Sequence, residues 1–517
     1  MAPRKTGRSV RSASSAESSL RRAPPAALPI GNVPSSALLF GAVVLVFVLL
    51  GAGRQPVWGD AIISYKAASA WLATGHLAMP GTPDEEHTAP GPDGKRYSKY
   101  PLLALLESVP EVLVMRASGD RMEGPWLLAL TLVPAMWVAL LCVGVALLLL
   151  RLGVTWRAAM VLSFTLLVGT PLWVYSRSYY GENSQAALLI WLLFCAHVAT
   201  ETKARGWAVL TGIIGGLLFD AKPIFLLVLP LVAFALPRRR VTDYCLGLIP
   251  GVLACLAYNV ARFGLPWAFG YSAGRDGLLG FATPPPVGLF GNLASPGKSI
   301  FLYAPLLAAA PFGVRALVNL NRRFWLLAWS APIVVIVLLV SCWWSWSGDW
   351  AWGPRYLVPL IPLIAIPALM LVLGGGRARG VVAILLCGGV LVQLPAILLP
   401  HSLYLDHVWR LTEPAMRAVS SNPDAIPDNM IFSHYVPWLS PIVAQWWLVA
   451  AKILGMNRVG PPPWAGIGFD SLAAVPTLPP WNLWFDGTAR SWIVLVVGCA
   501  LLAILVVRLV RASREPA

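Results

Sequence analysis

The chain has 517 residues, of which 57% are hydrophobic and 12% charged. A soluble domain carries about 25% charged residues, so an ordinary soluble enzyme and a disordered polyelectrolyte are both excluded. What remains is a protein that crosses a bilayer many times, since each crossing takes about 20 mostly apolar residues. The formal net charge of +16 needs its own explanation, because nucleic-acid-binding proteins are also strongly basic.

Residues 1–35 are rich in Ser, Ala, Pro and Arg, with Arg4, Lys5, Arg8, Arg11, Arg21 and Arg22 against the single acid Glu17. They read as a disordered basic tail. The apolar run that follows ends at Gly53-Arg54-Gln55-Pro56, which does not resemble a signal-peptidase site. It reads as a retained first membrane helix with a cytoplasmic N-terminus. Further spans are expected near 125–150, 158–174, 184–200, 207–219, 223–237, 243–261, 299–316, 324–342, 356–373, 379–400 and 491–510, making about twelve with 36–53. If successive loops alternate sides, the N-terminal side gathers 21 of the 39 basic residues and 4 of the 23 acidic ones. The positive-inside rule thereby accounts for the whole net charge and puts both termini in the cytoplasm. No nucleic-acid partner is needed. The segment Tyr100–Met115, interrupted by Glu107, Pro110 and Glu111, would invert every later loop if it spanned. It is expected to lie in the outer interface or to re-enter. Seven cysteines show no metal or redox spacing and read as small buried hydrophobes.

Chemistry is expected on the outer face, where the loops are long and rich in aromatic and charged residues, whereas the inner loops are short and basic. Asp60 opens a stretch in which Ile62, Tyr65, Ala68 and Leu72 fall at helical spacing. It is either a helix N-cap or a general base held where a membrane-bound substrate meets water. Lys99, at the start of the interfacial segment, suits a lipid phosphate or a snorkelling role. Glu182 and Arg177 are the only charges of the second outer loop. Asp220 and Lys222 break an apolar stretch and require a partner or a cavity. The fourth outer loop carries Arg275 and then Ser295-Pro296-Gly297-Lys298. This is not a P-loop, because Asn292 stands where the first glycine is required, but glycine, serine and lysine before a helix still suit a phosphate. The fifth loop has five tryptophans between Trp343 and Trp352, with Asp349 and Arg355 among or beside them. An interfacial belt needs tryptophan alone. Indole faces with an arginine fork suit a sugar phosphate, which nominates Asp349, Trp350, Trp352, Arg355 and Tyr356.

These motifs, in this order, resemble the GT-C superfamily of polytopic glycosyltransferases, whose donors are polyprenyl-phosphate sugars. The resemblance runs over 36–400. It rests on Gly59-Asp60 early in the first outer loop, Tyr97 to Pro101 entering an interfacial helix, Ser295 to Lys298, and Trp352 to Tyr356 closing a Trp-rich loop. It implies an all-α polytopic fold with interfacial helices in the first outer loop, a catalytic module over 36–400, an extracytoplasmic region over 401–490, and a last helix with a cytoplasmic tail over 491–517. It also implies a bacterial inner membrane. Asp60 would be the general base of an inverting transfer to an acceptor hydroxyl on a cell-envelope glycan, lipid or protein. Lys99, Arg355 and Lys298 would neutralise the donor phosphate, and Glu182, Arg275, Asp349, Trp350, Trp352 and Tyr356 would line the substrate. Two departures stand out. Some relatives have Asp where this chain has Glu182, and in some the interfacial lysine precedes two prolines rather than Tyr100-Pro101. Some GT-C enzymes use a divalent metal. With no tight acidic cluster in the sequence, no metal and no cofactor are expected. The alternative is a transporter or flippase of lipid-linked sugars, for which Asp220 and Lys222 would mark the substrate path.

Overall fold

In the computed structural model the described residues are helical almost throughout, the arrangement that lets backbone amides and carbonyls pair within their own segment in a medium without water. The structure describes residues 35–52, 60–79, 87–117, 119, 125–178, 180–202, 204–270, 280–348, 350–402, 404–405, 431–454 and 489–513. The basic tail and most of 401–490 lie outside them.

Each expected span has a helical counterpart. Helix α1 is Ser35–Leu50. Helix α2, Asp60–Thr74, and helix α3, Leu102–Ala117, follow it. Then come α4 (Pro125–Arg151), α5 (Trp156–Val168), α6 (Glu182–Glu201), α7 (Arg205–Ala221), α8 (Pro223–Ala235, opening on a 3-10 turn) and α9 (Arg238–Phe263). The second half has α10 (Pro285–Ala294), α11 (Pro305–Leu320), α12 (Arg322–Cys342), α13 (Arg355–Gly374), α14 (Gly376–Leu398), α15 (Pro441–Ile453) and α16 (Ala489–Ala512). Among the described residues seven helices are long and apolar enough to cross a membrane. The protein is therefore a multi-pass membrane protein. The counterparts of the other expected spans (α1, α5, α7, α8 and α11) are shorter. Helix α15 was not expected. It lies within 401–490 and packs Ala444 and Leu448 with Leu399 and Tyr404.

Helix α6 is the centre of the bundle, with 89% of its apolar window buried, and the main core gathers α1, α4, α5, α6, α8 and α13 around it. By contrast α16 is almost entirely exposed and touches α1, as expected of a peripheral helix facing lipid.

Two features place the site. The first is a small antiparallel hairpin, Thr88–Pro90 (β1) with Arg96–Ser98 (β2), in the register Thr88↔Ser98 and Pro90↔Arg96. It delivers Tyr100 and α3 to their positions. Arg262, at the end of α9 and 2% exposed, holds this delivery in place. Its guanidinium donates to the carbonyls of Ser98 and Tyr100 (2.8 Å for the latter) and to Asn259 Oδ1 at 2.8 Å, and it lies 3.7 Å over the Tyr258 ring.

The second is the close parallel pairing of α7 and α9. Each carries two glycines four residues apart, Gly212 and Gly216 on α7 and Gly247 and Gly251 on α9. A Cβ on Gly212 would lie 2.0 Å from the Tyr244 carbonyl oxygen, one on Gly247 2.0 Å from that of Val209, and one on Gly251 2.6 Å from Gly216 Cα. Association of helices in lipid depends on this kind of backbone approach, because lipid tails are as apolar as leucine. At the far end Arg205 donates to Asp243 at 2.9 Å, fixing the register. The pair carries Lys222, just past the end of α7, and Arg262 toward the same end of the bundle.

Gly247→Val is expected to destabilise the purified protein by more than about 2 kcal/mol through overpacking, read as a lowered unfolding temperature in detergent. Gly388→Val on α14, where a Cβ meets nothing within 4 Å, should leave that temperature unchanged.

Candidate functional site

At one end of the bundle four connections converge on Arg355. Its Nε donates to Glu182 Oε1 at 2.8 Å, and its Nη2 donates to Asp60 Oδ2. The Tyr180 ring lies 4.3 Å from the guanidinium carbon. Asp60 takes its other hydrogen bond from the Tyr100 hydroxyl, 2.5 Å from Oδ1. Beside them Lys222 Nζ stands 4.1 Å over the ring of Tyr356. Asp60 opens α2, Tyr100 precedes α3, Glu182 opens α6, Lys222 lies in the break between α7 and α8, and Arg355 opens α13. All five positions fall in stretches assigned to the outer side by charge alone.

Burial by itself pushes the Asp60 carboxyl up. The Arg355 charge, the hydrogen bonds from Tyr100 and Arg355, and His87 together outweigh it and hold the group at about 2. Asp60 is thus ionised at any physiological pH. Its carboxylate accepts from Tyr100 and Arg355, so its partners are tertiary rather than those of an N-cap. Burial pulls the Lys222 ammonium down to about 8; Glu182 and Asp60 favour its charged form and Arg355 opposes it. Behind Tyr180, Glu107 lines a small cavity with Trp137, Asn183 and Ser184. Burial raises its carboxyl to about 7 against hydrogen bonding with Ser184 and Trp137, with the Glu182 charge adding to the rise.

The Trp-rich loop positions Arg355. Gly348 (φ +67°) and Gly353 (φ +71°) occupy left-handed backbone, and a Cβ at either would collide, with Arg355 Cβ at 2.6 Å and with the Tyr303 ring at 2.8 Å. Lys298, with no exposed surface, donates its ammonium to the carbonyls of Ala351 (2.9 Å) and Gly353 (3.3 Å). Its position corrects the expectation of a phosphate ligand, because the ammonium is spent on the loop's backbone. Trp352 is corrected likewise. It is fully buried, donates to Gln393 Oε1 at 2.9 Å and accepts from Tyr175 at 3.2 Å through its carbonyl, which leaves no face for a substrate. Trp350 packs against the Leu399–Leu448 cluster. Lys99 lies in the turn after β2, its amide donating to His87 at 3.3 Å and its backbone against Gly270, to one side of the Arg355 cluster. Arg275 and Asp349 lie outside the described residues.

Of the nominated residues, Asp60, Glu182, Arg355 and Tyr356 come together. Lys222, Tyr100 and Tyr180 join them without having been nominated. The buried face of α2 is Ala61, Ser64 and Ala68 with Ile63 and Ala67, one position away from the expected stripe, and Ile62, Tyr65 and Leu72 are only half-buried. Among the described residues no group of three or more His, Cys, Asp or Glu is placed to hold a metal ion.

No family model matches the chain, and no curated protein sequence matches it. Solved structures with a similar course exist. ArnT from Cupriavidus metallidurans bound to undecaprenyl phosphate is 18% identical, with 91% of this chain and 77% of that one covered and a TM-score of 0.43. Its apo state is 17% identical, with 90% and 76% covered and a TM-score of 0.45. The archaeal oligosaccharyltransferase AglB from Archaeoglobus fulgidus, in complex with an inhibitory peptide and a dolichol-phosphate, is 12% identical, with 87% and 60% covered and a TM-score of 0.40.

Lys298→Met leaves two loop carbonyls without their donor, which costs about 1–3 kcal/mol. A lowered unfolding temperature is expected. An unchanged temperature together with weakened binding of undecaprenyl phosphate would restore Lys298 as a phosphate ligand.

Proposed function

We propose that the protein is a GT-C-type glycosyltransferase that moves a sugar from a polyprenyl-phosphate carrier to an acceptor hydroxyl on the extracytoplasmic face of a bacterial inner membrane. The observation that carries this reading is the Asp60–Arg355–Glu182 ion cluster with Lys222 beside it, at the end of the bundle that charge asymmetry assigns to the outside. A carboxylate with partial access to solvent, next to two cations, is what an acid–base transfer from a phosphate leaving group requires.

The chemistry is a single displacement. The acceptor oxygen attacks the anomeric carbon and forms the new glycosidic bond as the bond from that carbon to the phosphate oxygen breaks. The hydroxyl proton passes to Asp60, and the electron pair leaves with the polyprenyl phosphate, so configuration inverts. Arg355 and Lys222 neutralise the departing phosphate. Glu182 orients Arg355 through Nε, and the Tyr180 face sets the guanidinium plane. Tyr356 borders this space, and Lys99 is a candidate for the carrier's headgroup. Lys298 and Trp352 act by holding the Trp-rich loop. The transporter reading leaned on Lys222 as a mid-membrane charge; its contact with Tyr356 beside Arg355 favours a place in the phosphate site instead.

Two measurements test the reading. With radiolabelled polyprenyl-phosphate sugars and membrane extract as acceptor source, Asp60→Asn is expected to lower transfer by about 10²–10⁴-fold while the carrier still binds. Equal turnover in wild type and variant refutes the base. Second, Lys222 holds its proton below about 8 and loses it above. Affinity for undecaprenyl phosphate should therefore decline as pH rises through that value, and Lys222→Arg should move the decline to higher pH. A wild-type profile flat from pH 7 to 9 excludes Lys222 from phosphate binding.

A further inference from the structure

Arg355 has three claimants. Nη2 holds Asp60 and Nε holds Glu182, while the carrier phosphate of the proposed reaction needs the same guanidinium. Asp60 has a conflict of its own, since a carboxylate locked to an arginine is a weak proton acceptor. Resting on the glycosyltransferase reading, we propose that Arg355 is a shared latch. The carrier's phosphate displaces Asp60 from Arg355, and only the released carboxylate takes the acceptor's proton.

The geometry gives each group a distinct part. Glu182 is 2% exposed and holds Nε, so it keeps Arg355 anchored during the exchange. Side-chain exposure is 29% for Asp60 and 16% for Arg355, so the link between them is the one an incoming anion and an acceptor can reach. Tyr100 holds the other carboxylate oxygen and keeps Asp60 in place after release. Lys222 supplies a second cation for the arriving phosphate.

Charge balance points the same way. The groups facing Asp60 are Arg355, Tyr100 and His87, with Tyr180, Glu182 and Lys222 around them. Two carboxylates and two cations cancel when all are ionised. A bound phosphate makes the cluster net negative, which raises the proton affinity of Asp60. Of the two carboxylates, Asp60 is the one in reach of an acceptor. Carrier must therefore bind before acceptor. Without carrier the base is masked.

The competition has a direct reading that does not depend on turnover. Full-length protein in nanodiscs is titrated calorimetrically with undecaprenyl phosphate at neutral pH. If Asp60 competes for Arg355, Asp60→Asn removes the competitor and binds the lipid phosphate more tightly than wild type, by about tenfold for an ion pair worth about 1.4 kcal/mol. Equal or weaker binding by the variant overturns the latch. Should Asp60→Asn fail to fold, Tyr100→Phe decides the matter. It strips Asp60 of its second donor and ties it harder to Arg355, so binding weakens, and unchanged binding overturns the latch. No binding by wild type is a different failure, that of the carrier assignment itself.

Discussion

Everything at this end of the bundle depends on one guanidinium bridging two carboxylates. An unpaired carboxylate withdrawn from water either takes up a proton or forces the structure apart. Asp60 stays ionised because Arg355 faces it, and Arg355 is tolerated there because it lies between Asp60 and Glu182. The same contact joins α2, α6 and the start of α13, elements that begin 122 and 173 residues apart along the chain. An electrostatic requirement therefore doubles as the tertiary constraint that assembles the site.

The supporting residues spend their polarity on backbone rather than on one another. Arg262 binds the carbonyls on either side of Lys99 and fixes the entry of α3, which sets where the Tyr100 hydroxyl meets Asp60. Lys298 binds two carbonyls of the Trp-rich loop and fixes the approach to Arg355. Both are buried cations held mainly by main-chain oxygens, Arg262 with Asn259 Oδ1 as well, which satisfies them without adding a negative charge beside the Arg355 cluster. Gly348 and Gly353 complete the loop by letting its backbone fold tightly around Arg355 and Tyr303.

Much of this was legible in the sequence because lipid imposes a simple code. Long apolar runs had to be helices, and the bias of arginine and lysine gave the expectation that the charged aromatic loops share one side. Asp60, Glu182 and Arg355 were legible as isolated charges in aromatic loops on one side. Lys298 was misread because its local pattern, glycine and serine before a helix, also describes a phosphate loop; only the fold reveals that its ammonium meets the 351–353 carbonyls. Trp352 was misread for a related reason, since composition does not tell an interfacial tryptophan from one whose N–H ends on a buried Gln393. Lys222 was visible as a break in an apolar stretch, but its partner Tyr356 is 134 residues away, a pairing no local pattern encodes. The face of α2 slipped by one position because the helix packs against α3 rather than lying on a flat interface.

The short helices bear on where the site lies. At 1.5 Å per residue the 17 residues of α7 reach about 26 Å, less than the roughly 30 Å of a hydrocarbon core. Helices α7 and α8 thus form a hairpin that starts and ends on the arginine-rich side, at Arg205 and Arg238, with Lys222 near its tip. Because they come as a pair, their shortness leaves the sidedness of every later loop unchanged. Lys222, near the hairpin's tip, stands 4.1 Å over Tyr356 beside Arg355, so the length of the hairpin sets where the cluster sits along the bundle. With Glu182 2% and Arg355 16% exposed, the ion pairs there are stronger than they would be at an open surface. A site so placed keeps Asp60 paired with Arg355, whereas the same residues on an open surface would exchange partners with water.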